Sequence, residues 1–335
     1  MKKGLAILLM LCIVFVAFAQ GTDEARTTAV TSELADIKDA WPTKDVKIIV
    51  PNAAGGFSDL NARLFADFVS RKSGKNVIVV NETGGSNTVG FETVRSAKAD
   101  GTTLLSFNNG ALINYYAHKI DYLVTDENHY TWINFIYEPM PTSGSVVAVN
   151  ADSSYQTLDD LIEAARKNPR TITVGDGYGT GANVLAGMLE LAAGGVKFKH
   201  VDASDTTSRI TGVVGGQFDW APIGVAQVIP YIESGDIRVL ATGGSVETIE
   251  GIPLTRDLGY GEFAFPTYGF IAGPKGLDPV IVDAIDAWCQ DFCREMATEV
   301  EKTGYTCTPW TREEALAHEK AVAIDIGEIC TSLGW

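Results

Sequence analysis

The sequence predicts an α/β protein of two lobes, each a mostly parallel sheet flanked by helices. Two observations carry that prediction. Short, β-branched apolar runs alternate with amphipathic helical stretches, the pattern of parallel strands joined by right-handed crossovers. One particular unit, a buried strand running through a glycine turn into a helix, occurs twice, at residues 46–69 and 171–193. Two such units in separate segments imply two lobes that face one another.

The first unit reads VKIIVPNAAGGFSDLNARLFADFV. Residues 46–50 form a continuous apolar strand. Leu60, Leu64, Phe65, Phe68 and Val69 recur at the spacing of one buried helix face. Ser58 and Asp59 are residue types that complement a helix N-terminus, where backbone N–H groups lack partners. Gly55 and Gly56 remove side chains that would keep a ligand from those groups. Residues 52–59 (Asn52, Ala53, Ala54, Gly55, Gly56, Phe57, Ser58 and Asp59) therefore form a candidate anion cradle.

A second strand follows at 76–80 and ends in a polar loop that begins at Asn81 and includes Asn87. A helix covers 88–97, and a third strand, 101–107, runs into Asn108. Ligands collect at the carboxyl ends of strands in such sheets, so these loops share one rim. Further strands are expected at 130–137 and 144–149, then a helix at 158–167. The second cradle follows strand 171–174: Gly177, Tyr178, Gly179, Thr180 and Gly181, with Asn183 in the first turn of a helix over 182–193. Strand 197–201 leads to Asp202 and Asp205, which place negative charge near the rim. Helices at 206–214 and 225–232, a strand at 237–241, a crossing segment at 265–274 and helices at 279–302 and 313–333 complete the chain.

Residues 1–19 stand apart. Lys2 and Lys3 precede an uninterrupted apolar run at 5–18, and Ala17-Phe18-Ala19 is a cleavage pattern, so a signal peptide is expected, with an uncleaved anchor as the alternative. The export reading places the protein in the periplasm or another extracytoplasmic space. The chain carries 26 Lys and Arg against 42 Asp and Glu, for a net charge of −16. That balance argues against nucleic acid and anionic membrane surfaces as partners. Cys289 and Cys293 lie four apart on one helix face, with Cys307 and Cys330 beyond. Export allows one or two disulfides among them, or four buried thiols, and the spacing does not choose a pairing. No histidine stands at metal-ligand spacing near them, so no metal is expected.

PNAAGGFSDLNAR, VVNETGGSNTVGFETVRSAKADGTTLL, the glycine turn at 175–181 and GGQFD at 215–219 occur in that order. In these residues the chain resembles the periplasmic substrate-binding proteins of tripartite tricarboxylate transporters, the extracytoplasmic Bug receptors. The likeness runs from Trp41 to the C-terminus. It implies a Venus-flytrap fold that closes on a small carboxylate held between the two turns largely by backbone N–H groups and water. It also implies delivery to the membrane permease subunits of such a transporter. A monomer without cofactor or catalytic residue is expected. The implied division is a linker at 20–43, lobe one at 44–145 plus 267–335, and lobe two at 146–266. The chain departs from the family pattern at Asn183, where a histidine is common, and at Val201-Asp202-Ala203, where V-P-Y is common. Asp202 and Asp205 would then favour a ligand bearing an amino group or hydroxyls at its far end.

Three other readings stand beside this one. Gly177-x-Gly179-x-x-Ala182 with Asp202 farther on fits the dinucleotide fingerprint of an oxidoreductase. A hydrolase is disfavoured: G-x-S-x-G is absent, and His318-Glu319 lacks the second histidine of H-E-x-x-H. His118, His129 and His200 read as surface or packing residues. A flytrap sensor for a membrane kinase would share every binding residue. Trp220 reads as core, Tyr178 and Phe57 as residues that stack on a flat ligand or cover the cleft, and Arg63 as the partner of an acid on its own helix.

Overall fold

The computed structural model describes residues 37–85, 87–140, 144–244, 246–261, 263–265 and 267–335. The expected signal peptide, the linker up to residue 36, and Pro266 at the expected lobe boundary lie outside the described residues.

The chain first builds β1 (Val46–Val50), α1 (Phe57–Ser73), β2 (Val77–Asn81), α2 (Thr88–Arg95), β3 (Thr103–Asn108), α3 (Gly110–Tyr116) and β4 (Tyr130–Pro139). It then forms β5 (Ser145–Asn150), α4 (Leu158–Lys167), β6 (Thr173–Asp176), α5 (Gly181–Ala192), β7 (Lys199–Asp202), α6 (Thr206–Val214), β8 (Trp220–Gly224), α7 (Val225–Glu233) and β9 (Ile237–Thr242). Finally it adds β10 (Gly269–Pro274), α8 (Pro279–Glu301), β11 (Tyr305–Thr306) and α9 (Arg312–Ser332). Two sheets result, ordered β11-β4-β10-β3-β1-β2 and β7-β6-β8-β5-β9.

Each sheet buries both faces, because successive side chains of a strand point to opposite sides. Ile48 joins a core with Phe65, Phe68, Trp288 and Phe292, while its neighbour Ile49 joins another with Phe91, Phe107 and Phe135. In the second sheet Val147 and Val149 pack with Trp220, whereas Val146 and Ala148 pack with Phe218 and Ile223. Trp220 is fully buried, as expected. A further apolar seam joins Leu112 and Ile113 of α3, Val184 of α5, and Val322, Ile326 and Cys330 of α9.

The sheets are mixed but most strands run one way: β2, β1, β3 and β4 in the first sheet, β7, β6, β8 and β9 in the second. Parallel pairing is confined to β2-β1-β3 and β7-β6-β8. β10 is antiparallel to β3 and β4, and β5 is antiparallel to β8 and β9. The reason is the route of the chain. β5 and β10 are the strands by which it enters one sheet after leaving the other, so they start where their neighbours end. Four elements go beyond the sequence reading: α3, β8, the two-residue β11, and β10, expected only as a crossing segment. Pro222 removes a ladder donor from β8, which sits inside its sheet where proline is disfavoured. Cys289, Cys293, Cys307 and Cys330 are all buried, and no disulfide is drawn among them in the described residues.

Candidate functional site

A cleft of ≈ 2220 Å³ is lined by residues from both sheets, including Asn52 to Ser58, Asn108, and Tyr178 to Asn183. The first turn is shaped from behind. Gly55 takes φ +84°, a left-handed conformation that glycine adopts without cost. Its N–H donates to Asp59 Oδ2 at 2.9 Å. Arg63 Nε donates to the same oxygen at 3.0 Å, and Asn81 Nδ2 donates to Asp59 Oδ1 and to the Asn52 carbonyl, both at 2.9 Å. Burial opposes ionisation of Asp59, but these bonds outweigh it and hold the carboxyl below its usual range. Asp59 and Asn81 do not line the cleft; they fix the turn that does. Arg63 pairs with Asp59 one helical turn away, as the spacing predicts.

Gly56 is the N-cap of α1 and offers no side-chain acceptor, so the N–H groups of the first helical turn have no capping partner. Ser58 Oγ accepts from Asn108 Nδ2 at 3.0 Å and lies 2.9 Å from the Tyr137 hydroxyl. Phe57 stacks on Tyr305 at 5.1 Å between ring centroids. The ring therefore covers the floor of the turn.

In the second turn Thr180 caps α5, its Oγ1 accepting from Asn183 N at 3.3 Å and donating to the Gly177 carbonyl at 2.7 Å. Asn183 Nδ2 donates to Asp176 Oδ2 at 2.8 Å, and His200 Nδ1 sits 2.7 Å from the same oxygen. Gly177 does not line the cleft. A Cβ there would fall 2.6 Å from Ser204 Cα, so the glycine lets the β7–α6 loop lie against the turn. Asp205 lines the cleft as expected, and its carboxylate also caps α6 through Ser208 N and Oγ. Asp202 is exposed at the cleft wall.

Three cations in this cleft escaped sequence reasoning, because tertiary contact alone brings them there. Arg209 Nη1 donates to the Ala203 and Ser204 carbonyls at 3.1 and 3.2 Å, and its buried Nε has no partner. Burial pushes its pKa down to about 10, so it remains charged. His200 is raised to about 9 by its bonds to Asp176 and Glu190. It is an imidazolium at neutral pH and not a free base. Lys119, in the loop after α3, donates to the Tyr178 carbonyl and lies 3.5 Å from the Gly179 carbonyl, spanning the two sheets. Tyr178 in turn packs against Trp335 at 5.4 Å.

The N-termini of α1, α2, α5, α6 and α7 all border the cleft. Each concentrates a partial positive charge of ~0.5. The arrangement is suited to holding an anion. Among the described residues no cluster of His, Cys, Asp and Glu could hold a metal ion, and no helix is long and apolar enough to cross a membrane.

Comparison with known proteins agrees with this geometry. Residues 61–303 match the family model described as "Tripartite tricarboxylate transporter family receptor". A Cupriavidus necator relative, the UPF0065 protein in the gbd 5' region, is 29% identical over 253 residues, which is 74% of each chain. MatC from Rhodopseudomonas palustris, solved with bound malate, superposes with TM-score 0.75 at 19% identity, covering 88% of this chain and 100% of its own. Another R. palustris protein, solved with adipate, gives TM-score 0.76 at 19% identity over 88% and 98% of the two chains. The fold is thus that of two-lobed binding proteins, and the family is one of receptors and not enzymes, which removes the oxidoreductase reading. The chain belongs to the tripartite tricarboxylate transporter family of receptors.

Proposed function

We propose that this protein is an exported, periplasmic receptor that captures a small carboxylate between its two glycine turns and delivers it to the permease subunits of a tripartite transporter. One observation carries the reading: helix N-termini from two different sheets face one cleft, and three of them, at Gly56, Asn87 and Gly224, have no side-chain cap. Arg209 and Lys119 add positive charge on the same walls, the His200 charge is balanced by Asp176 and Glu190, and the Asp205 carboxylate is held by the α6 N-terminus. The cleft therefore favours carboxylates over amines, with Asp202 as the remaining acid that a ligand hydroxyl or amino group could meet. The lobes are taken as 44–145 with 267–335, and 146–266, and they close on the ligand by a hinge motion. Function needs no cofactor.

The test is a thermal-shift screen of the chain from residue 20 against carboxylates, with malate, adipate, NAD and NADP included. A ligand at a hundred times its Kd should add about 2.7 kcal/mol. The reading expects a shift with one carboxylate class and none with the nucleotides. A shift with nucleotides alone would overturn it.

A further inference from the structure

We infer that Cys293 and Cys307 are the one disulfide-forming pair of the exported protein. The thiol of Cys307, just past β11, donates to the backbone carbonyl of Cys293 on α8 across 3.7 Å, which places the two side chains side by side. Both are buried in the same core, with 2% and 7% of their surface exposed. All other pairings but Cys289–Cys307, whose members share this core, fail on geometry, and the alkylation pattern below separates that one. Cys289 and Cys293 are one turn apart on α8, where Cβ atoms stand ~5–6 Å from each other, beyond the ~3.5–4.5 Å a disulfide spans. Cys330 belongs to a separate apolar seam, with Leu112, Val184 and Val322.

The burial of the pair also says when the bond forms. The neighbouring Cys307 thiol and burial both push the Cys293 thiol well above its usual pKa, so the folded chain offers little of the reactive thiolate. Oxidation therefore belongs to folding, before α8 and β11 close over the pair. Each thiol gives up its hydrogen as the S–S bond forms. A partner disulfide takes up the two electrons and two protons and is cleaved to two thiols.

The bond would tie α8 to the segment that supports the first turn. Tyr305 stacks under Phe57, and Thr303 Oγ1 accepts from Asn61 Nδ2 at 3.1 Å. This link to the ligand rests on the receptor reading; the pairing itself does not, so the two can fail separately.

The experiment refolds the reduced chain, from residue 20 onward, out of guanidinium with glutathione disulfide as oxidant. Remaining thiols are then alkylated under denaturing conditions and the chain is digested with trypsin. Cleavage after Arg294 and Lys302 separates the two cysteines unless a bond joins them. The expected result is one cross-linked Cys293–Cys307 peptide pair with Cys289 and Cys330 alkylated, unchanged in Cys330→Ser and lost in Cys307→Ser. Four alkylated cysteines, or a bond that survives Cys307→Ser, would overturn the inference.

Discussion

Gly56 occupies the position at which a side-chain oxygen would ordinarily satisfy the first turn of α1. Its φ of −75° is one any residue adopts, and a Cβ there would meet only the Ala53 carbonyl at an ordinary 3.5 Å. Glycine is thus not needed for the backbone, in contrast to Gly55 at φ +84°. Gly56→Asp should fold normally and, as an N-cap, hold or raise Tm, while its own carboxylate occupies the N–H groups. Isothermal titration with the carboxylate that gives the largest thermal shift should show binding lost; full retention would remove the first turn from the site. At this scale the sequence was partly legible. The Asp59–Arg63 pair followed from helical spacing. Which face of the turn Asp59 and Asn81 occupy did not, because spacing along a chain is silent on front and back. Lys119, Arg209 and His200 carried no local signal at all.

Among elements, the loop between α3 and β4 matters most, since its Lys119 reaches across to the carbonyls of the second turn. A hydrogen bond to a charged group contributes roughly 1.5–3 kcal/mol net, so Lys119→Met should weaken carboxylate binding at least about tenfold. The loss should appear as faster dissociation in stopped-flow measurements, because the contact bridges the two sides of the cleft. An unchanged dissociation rate would reduce Lys119 to a surface residue. The elements hardest to foresee share a physical reason. α3 is only seven residues long, and it gains its place from the Leu112–Val184–Ile326 seam and not from its own periodicity. β8 carries Pro222, which local propensity counts against a strand. By contrast α4 and α6 matched the expected bounds, because capping residues and apolar spacing agree there: Thr157 and Asp205 both accept from the N3 N–H.

The whole molecule is an acidic chain with a cleft arranged for anions, and its stability should carry the mark of two shifted titratable groups, the partly exposed His200 and the buried Glu319. The folded state holds His200 at about 9 against an ordinary 6.5, so the protonated pair with Asp176 and Glu190 stabilises fully below pH 6.5. That contribution disappears as pH rises through 9. Glu319 is raised by burial from 4.5 to about 8, and it too favours the folded state less as pH rises, over a lower window. Tm should therefore fall between pH 6.5 and 9, and His200→Gln should flatten the upper part of the slope while leaving the Glu319 part. A parallel slope in the variant would show that His200 does not titrate as the geometry requires. Two lobes were legible from the repeated strand–turn–helix unit. The reversal of β5 and β10 was not, because strand direction follows from which sheet the chain has just left, a property no single segment encodes.

The contact between Tyr178 and Trp335 has an optical consequence. An indole at the end of α9 rests against the phenol ring of the turn contributed by the other sheet, so its emission depends on the gap between the lobes. Any opening or closing of the cleft would thereby register in the protein's intrinsic fluorescence, at a residue whose replacement by phenylalanine would silence the signal and leave the five other tryptophans as background.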